Sequence, residues 1–383
     1  MTHMKLGDVA TFVSGGTPSR SVAEYYGGDI PWITGADIND SGDVSSRFGI
    51  TTEAVQKSAT NIVEAGALVL VTRTSVGKVA LLDRATAISQ DLTGVVPHAG
   101  ISSDYIRHFL KFSARSLAVQ ARGATIKGIT RNVVASMMVP VPSLGEQRRI
   151  AGILDQADTI RTKRRASLAL FDELTQALFM DMFDEFKAGT TVDNVASFVR
   201  TGPFGSQLKH DEFVQAGIAV LGLDNVVSNT FRWGERRFIT PEKYEALKRY
   251  TVRPGDVLIS IMGTVGRCVI VPPEIPTAIN TKHICAITPN DEVVTSDFLR
   301  AAFLWGRESR AHLQRQTKGS IMSGLNMGII KKMPLPVPPM SLQQEFAARV
   351  EQINAQRALV ERALEKDEEL FASLQSRAFS GEL

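Results

Sequence analysis

Apolar positions along this chain follow two rhythms, and the pair of rhythms occurs twice. Residues 1–142 and again 188–338 are filled with short β-prone runs broken by Gly and Pro, such as 67–71, 78–82, 217–221, 256–261 and 268–271. Helical stretches are interleaved at 105–121 and 296–314. This mixture predicts α+β domains with mixed sheets. The segments 143–187 and 339–383 behave differently. Each follows a cluster of prolines (Pro140 and Pro142; Pro334, Pro336, Pro338 and Pro339) and then runs highly charged and proline-free for about 40 residues.

Steps of four and three from Ile150 pass through Leu154, Ala157, Arg161, Arg164, Leu168, Phe171, Thr175, Leu178 and Met182. The equivalent series, 196 residues later, is Phe346, Val350, Ile353, Arg357, Val360, Leu364, Asp367, Phe371, Leu374 and Ala378. Such a stripe over five heptads predicts a coiled-coil-like helix pair. Ser143 with Glu146, and Ser341 with Gln344, have capping-box spacing. Forty helical residues span about 60 Å. For the second helix to bury its stripe on the first, it must run back antiparallel. The expected architecture is two duplicated α+β domains on an antiparallel helix pair, related by a pseudo-two-fold axis.

The duplication is also visible residue by residue. Asp8-Val9-Ala10-Thr11-Phe12-Val13 matches Asn194-Val195-Ala196-Ser197-Phe198-Val199, and Ile50-Thr51-Thr52-Glu53 matches Ile239-Thr240-Pro241-Glu242. Gly66-Ala67-Leu68-Val69-Leu70 falls on Gly255-Asp256-Val257-Leu258-Ile259, and Pro140-Val141-Pro142 on Pro336-Val337-Pro338. A repeat this long indicates a duplicated domain plus connector, not a solenoid. The expected divisions are a first domain at 1–142, a central helix at 143–187, a second domain at 188–338 and a C-terminal helix at 339–383.

Composition narrows the class. The chain has 383 residues, 44% of them apolar, enough for two or three domains with sizeable cores. No stretch approaches a membrane span, and Met1 to Leu6 lacks the apolar core of a secretory signal. Only Cys268 and Cys285 occur, which fits a reducing cytoplasm. Net charge is only +3, but its distribution is uneven. Twelve basic residues stand against three acids between Tyr105 and Arg165, and seven against Glu308 alone between Arg300 and Lys332. Such clustering suits a phosphate footprint as well as a solvated helix face.

Enzyme chemistry finds little support. Arg73-Thr74-Ser75-Val76-Gly77-Lys78 has the look of a phosphate loop, but Thr72 stands where the first Gly is needed and Val79 where a magnesium-binding hydroxyl is needed. Val271-Pro272-Pro273-Glu274 lacks the amide or carboxylate of an amino-methyltransferase motif. His283, Cys285 and Cys268 lack zinc-ligand spacing. No catalytic, cofactor-binding or metal-ligating residue is therefore assigned. A coiled-coil scaffold leaves two large domains with basic stretches unexplained, and a self-contained DNA-modifying enzyme is the competing class.

Gly15-Gly16-Thr17-Pro18-Ser19 followed by Tyr25-Tyr26-Gly27-Gly28-Asp29-Ile30-Pro31-Trp32 resembles the start of a target recognition domain in type I restriction-modification specificity subunits. So does Gly123-Ala124-Thr125-Ile126-Lys127-Gly128-Ile129 running into Val139-Pro140-Val141-Pro142-Ser143-Leu144-Gly145-Glu146-Gln147-Arg148-Arg149-Ile150, and the second copy repeats the series from Gly319-Ser320-Ile321. The second copy departs after its prolines, with Leu342-Gln343-Gln344-Glu345 where the first has Glu146-Gln147-Arg148-Arg149. The resemblance covers essentially the whole chain. It implies a non-catalytic, DNA-binding subunit in which each domain reads half of a split double-stranded target. The helices would set the spacer and dock two methyltransferase subunits, and restriction subunits would join them. S-adenosylmethionine, ATP and Mg would belong to those partners.

Sequence readers use Arg, Lys, Asn or Gln at base edges and Lys, Arg, Ser, Thr or backbone N–H groups at phosphates. Beside Gly-rich turns, which allow close approach, the first domain offers Thr17, Ser19, Arg20, Arg73, Thr74, Lys127 and Arg131. The second offers Ser206, Gln207, Lys209, Thr264, Arg267, Lys318 and Ser320. Trp32, Trp233 and Trp305 read as core anchors.

Overall fold

A computed structural model describes residues 2–123, 127–317 and 324–383. The chain forms two compact units, Met1–Arg165 with Arg362–Leu383, and Ala166–Glu361. Each therefore holds one globular portion and part of both long helices, Leu144–Phe183 and Met340–Ser380. Among the described residues no helix is long and apolar enough to cross a membrane.

In the first unit, Ala10–Ser14, Leu92–Pro97, Leu68–Val71 and Val79–Leu81 form an antiparallel four-stranded sheet in that order. A second sheet orders Phe48–Ile50, Tyr26–Ile33, Thr86–Ile88 and Asn61–Val63, with a parallel pair at its centre. The second unit repeats both. Ala196–Thr201, Ile284–Pro289, Val257–Ser260 and Cys268–Ile270 form the antiparallel sheet. Phe238–Ile239, Ile218–Leu221, Ala278–Asn280 and Thr251–Val252 form the mixed one. The duplicated strand order makes the repeat a matter of topology as well as spelling. Short helices are capped in parallel fashion: Thr51 Oγ1 accepts from Ala54 N–H and Thr240 Oγ1 from Lys243 N–H, each at 3.2 Å.

Glycine joins the two sheets where no side chain fits. A Cβ on Gly16 would lie 2.2 Å from the Ala59 carbonyl carbon, and one on Gly202 would lie 2.0 Å from the Asn280 carbonyl oxygen. The Gly16 carbonyl accepts from the Trp32 indole N–H at 3.3 Å, holding that buried ring beneath the strand end.

The interleaved helices differ between copies. Ser103–Gln120 is continuous, whereas the expected 296–314 helix is two, Ser296–Trp305 and Arg307–Thr317, broken at Gly306. Ser103–Gln120 packs rings on the C-terminal long helix and Ser296–Trp305 on the central one. Phe379 touches Tyr105 and Phe109 at 5.5 Å, and Phe183 touches Phe298 at 4.9 Å and Phe346 at 5.3 Å.

All twenty positions of the predicted stripe are buried or half-buried. Within each unit the long helices run antiparallel. In the first, Ile150 and Leu154 share a core with Phe371 and Ala378, and Arg164 pairs with Asp367. In the second, Phe179 and Phe183 share a core with Phe346 and Val350, and Arg357 pairs with Asp172 at 2.6 Å.

The helix starts are held by a device the sequence analysis passed over. Gln147 and Gln343 are buried and lie 196 residues apart. The Gln147 carbonyl accepts from Ser102 N–H at 2.9 Å, while its amide donates to the carbonyls of Pro142 at 3.0 Å and Gly100 at 3.3 Å. Gln343 accepts from Thr295 N–H at 2.9 Å and donates to Pro338 at 2.9 Å and Val293 at 3.1 Å. Ser102 and Thr295 are themselves the N-caps of Ser103–Gln120 and Ser296–Trp305. One side chain thus binds the proline stop, the long helix and the domain's own helix. Ser143 caps the first long helix, its Oγ accepting from Glu146 N–H at 3.3 Å. Ser341 lies inside the second, which begins at Met340, so the expected capping box there is not formed.

Gln147→Ala and Gln343→Ala strip a buried joint of its partners. Each is expected to lower stability by about 2–4 kcal/mol in denaturant unfolding. The exposed neighbour Gln344→Ala should change it by less than about 0.5 kcal/mol.

Candidate nucleic-acid interface

The first-unit candidates arise on loops at one end of the sheets. Loop 72–78 is a hairpin between Leu68–Val71 and Val79–Leu81, so the phosphate-loop likeness ends in a strand rather than a helix. Beside it runs the segment that ends at Ile129: Thr74 N–H donates to Lys127 C=O at 2.9 Å and Ile129 N–H to Thr72 C=O at 2.9 Å. The same segment folds back on itself, with Arg122 and Gly128 exchanging backbone hydrogen bonds at 2.9 and 3.0 Å. Arg73, Thr74, Arg122 and Lys127 are therefore gathered and exposed. Arg131 follows two residues after Ile129, exposed at the start of a short helix, Arg131–Ala135.

Thr17, Ser19 and Arg20 reach the same end through turn 89–91. Thr17 bonds to Gln90, and Thr72 N–H donates to the adjoining Asp91 C=O at 2.8 Å. Ser19 Oγ lies 2.8 Å from Ser21 Oγ, and Ser19 and Arg20 are exposed. Arg20, Arg73, Arg122, Lys127 and Arg131 have no ion pair among the described residues. Arg122 was not among the candidates, although the basic stretch contained it.

The second unit builds the same edge with other residues. Thr264 and Arg267 lie exposed on hairpin 261–267, where Ser260 Oγ accepts from Arg267 N–H at 2.9 Å. Leu325 N–H donates to Ile261 C=O at 3.0 Å, the counterpart of the Ile129–Thr72 bond. Ile261 N–H donates to His283 C=O at 2.8 Å, the counterpart of Thr72–Asp91. Thr74, at φ 66°, occupies the left-handed conformation that Gly263 adopts at φ 74° in the second hairpin.

Ser206, Gln207 and Lys209 are exposed on the loop after Ala196–Thr201. Gln207 is engaged: its carbonyl accepts from Tyr250 O–H at 2.8 Å and from Phe204 N–H at 3.2 Å. Lys209 uses its backbone N–H on Glu212 at 2.6 Å and leaves its ammonium without an ion pair among the described residues. Lys318 and Ser320 lie outside the described residues. Lys282 and Arg237 also reach this edge. Burial, followed by these two cations, holds the His283 imidazole below its ordinary value, and Arg237 is itself paired with Asp224 at 3.3 Å.

Not every basic residue belongs here. A cleft of about 670 Å³ in the first unit is lined by Lys78, Lys111, Arg161 and Arg165, but these face Asp40, Asp158 and Glu368 in ion pairs. Arg161 also covers the Phe371 ring at 4.0 Å. Cys268 and Cys285 flank Ile259 on neighbouring strands, and burial pushes both thiols up to about 12. Such thiols are unreactive packing residues. Among the described residues no group of three His, Cys, Asp or Glu could hold a metal.

Residues 1–169 and 217–367 match the type I restriction modification DNA specificity domain. The chain belongs to this type I specificity family. The specificity subunit of the Escherichia coli EcoR124I/EcoR124II enzyme is 33% identical over 199 residues, 49% of each chain. That of Methanocaldococcus jannaschii MjaIX is 27% identical over 48% of this chain and 44% of the relative. These matches span about half the length of those relatives. The MjaVIII specificity subunit from the same archaeon is 19% identical over 92% of this chain and 85% of its own.

Two solved structures share the fold of this family member. The S subunit of a type I restriction-modification system from M. genitalium has a TM-score of 0.59 at 14% identity, covering 99% of this chain and 96% of that one. A chain from a structure of type I R-M complex assembly and conformational transition has a TM-score of 0.59 at 16% identity, covering 100% and 98%.

Removing unpaired cations tests the interface. Arg73→Ala, Lys127→Ala and Arg131→Ala should each lower the slope of log affinity against log salt by about one unit for any duplex if they contact phosphate. A residue that reads a base would instead lose about 1–3 kcal/mol on the specific site alone.

Proposed function

We propose that this chain is the DNA-specificity subunit of a type I restriction-modification assembly, binding double-stranded DNA and performing no chemistry itself. The observation that carries this reading is the duplicated module. Two sheets of identical strand order each present hairpin and turn loops at one end, with exposed cations that have no ion pair among the described residues. Each recognition domain, 1–142 and 188–338, reads one half of a bipartite target. Thr17, Ser19, Arg20, Arg73, Thr74, Lys127 and Arg131 act in the first. Ser206, Gln207, Lys209, Thr264, Arg267, Lys318 and Ser320 act in the second.

The helix segments 143–187 and 339–383 set the unread spacer and dock two methyltransferase subunits, which restriction subunits join in the cytoplasm. S-adenosylmethionine, ATP and Mg enter with those partners. Gly-rich loop ends let backbone approach the duplex, and the cations supply register and non-specific affinity.

Exchanging residues 1–142 for the equivalent domain of a relative should change one half of the motif methylated by the reconstituted complex and leave the other intact. The rigorously pure chain should transfer no labelled methyl groups. Transfer would establish the competing reading, a self-contained modifying enzyme.

Spacer length gives a second test. Inserting four residues into each long helix, near Arg161 and Arg357, adds about 6 Å and about 40° of rotation. At about 3.4 Å per base pair, the spacer in the methylated motif should lengthen by one or two base pairs while both half-sites stay the same. Unchanged spacing in an active double insertion would show that the helices do not measure the target.

A further inference from the structure

The two modules differ most in one loop. In the first, residues 38–48 carry Asp40 and Asp43. The one arginine there, Arg47, is held by Asp37 at 2.5 Å, and Phe48 ends the loop with no arginine against its ring among the described residues. The loop closes on itself, Asn39 Oδ1 accepting from Gly42 N–H at 2.9 Å and Asp43 N–H at 2.8 Å. Asp40 holds Lys78 at 2.9 Å. In the second module the corresponding loop, 226–237, carries Phe231, Arg232, Trp233, Arg236 and Arg237. Trp233 was expected in the core, yet it is 39% exposed, while Trp32 is 4% exposed and Trp305 packs half-buried against Phe179. The Arg236 guanidinium lies 5.1 Å from the Trp233 ring, and Phe231 meets that ring edge-on at 5.4 Å.

This loop is anchored on two sides, to the strand that follows the recognition hairpin and, through the Arg232–Glu361 ion pair at 3.4 Å, to the C-terminal long helix. Asn229 Oδ1 accepts from Cys268 N–H at 2.9 Å, directly after Arg267 on the recognition hairpin. Arg300 donates to Asn229 C=O at 2.7 Å, and Asn225 donates to Arg232 C=O at 2.9 Å. An indole so held in water, with a guanidinium against it, is a preformed surface for a flat or apolar group beside negative charge. Duplex DNA offers both, as sugar and base surface flanked by phosphate.

We propose that Trp233 and Arg236 form a DNA contact belonging to the second module alone, with the indole packed on sugar and base surface and the guanidinium directed to phosphate. The proposal rests on the reading of the chain as a DNA-specificity subunit. It adds a recognition element that the first module lacks.

The full chain is titrated with a duplex of its methylated motif while tryptophan emission and affinity are followed. Emission should change on saturation, and most of that change should vanish in Trp233→Phe. Trp233→Ala should weaken binding about tenfold, with Trp233→Phe recovering part of the loss and both variants keeping the wild-type thermal midpoint. Arg236→Ala should lower the salt slope by about one unit. Wild-type affinity in both alanine variants, while Arg267→Ala weakens binding, would overturn this contact and leave DNA reading intact. Emission that responds to added methyltransferase subunit but not to duplex would reassign the loop to a protein partner. Failure of the wild-type chain, alone and with that subunit, to bind any duplex at low salt would remove both readings together.

Discussion

A buried glutamine amide has one acceptor and two donor hydrogens, and at Gln147 and Gln343 all of them are used on backbone groups from two segments outside the long helix. Because an unmet buried polar group costs about as much as several good contacts contribute, the joint tolerates little change in angle between helix and domain. Together with the shared apolar core, this joint holds the domain in a fixed pose toward its own helix. Aromatic packing by Phe183 and Phe379 adds stability around it, but rings slide more readily than a three-point hydrogen-bonded clamp.

Charge in this chain forms two physical populations that a count cannot separate. Arg161, Arg164, Arg165 and Arg357 belong to the helix pair, where carboxylates on the facing helix meet them and fix its antiparallel register. Pairs that stay partly open to solvent contribute modest stability each, and their placement favours this register over others. Arg73, Arg122 and Lys127 sit on loops and Arg131 at the start of a short helix, with no ion pair among the described residues, and their field extends into solvent.

Much of the fold was legible because the two periodicities are physically distinct. Short β-prone runs became the two sheets of each unit, and the four-and-three stripe became the buried seam, including polar Arg161, Thr175 and Asp367. What stayed hidden depended on partners distant in sequence. Gln147 looked like one polar residue in a charged helix start. The departure at Leu342-Gln343-Gln344-Glu345 concealed that Gln343 keeps its counterpart's role. The matching 196-residue offset was the available signal. Gly306 broke a helix that the hydrophobic pattern carried through. Trp233 was misplaced because a large aromatic side chain is usually buried, and only the surrounding arginines in 226–237 hinted otherwise. Arg73, Thr74 and Lys127 were named separately. Their convergence depends on backbone bonds between loops some 50 residues apart.

The two hairpins also differ in what their tips tolerate. At Gly263 the left-handed backbone costs nothing in side-chain clash, whereas Thr74 adopts it at φ 66° with a branched side chain, a conformation disfavoured by roughly 1–2 kcal/mol. Threonine at 74 therefore leaves the first tip with local backbone strain that the second does not carry. The two hairpins, alike in topology, thus differ in conformational strain at equivalent points.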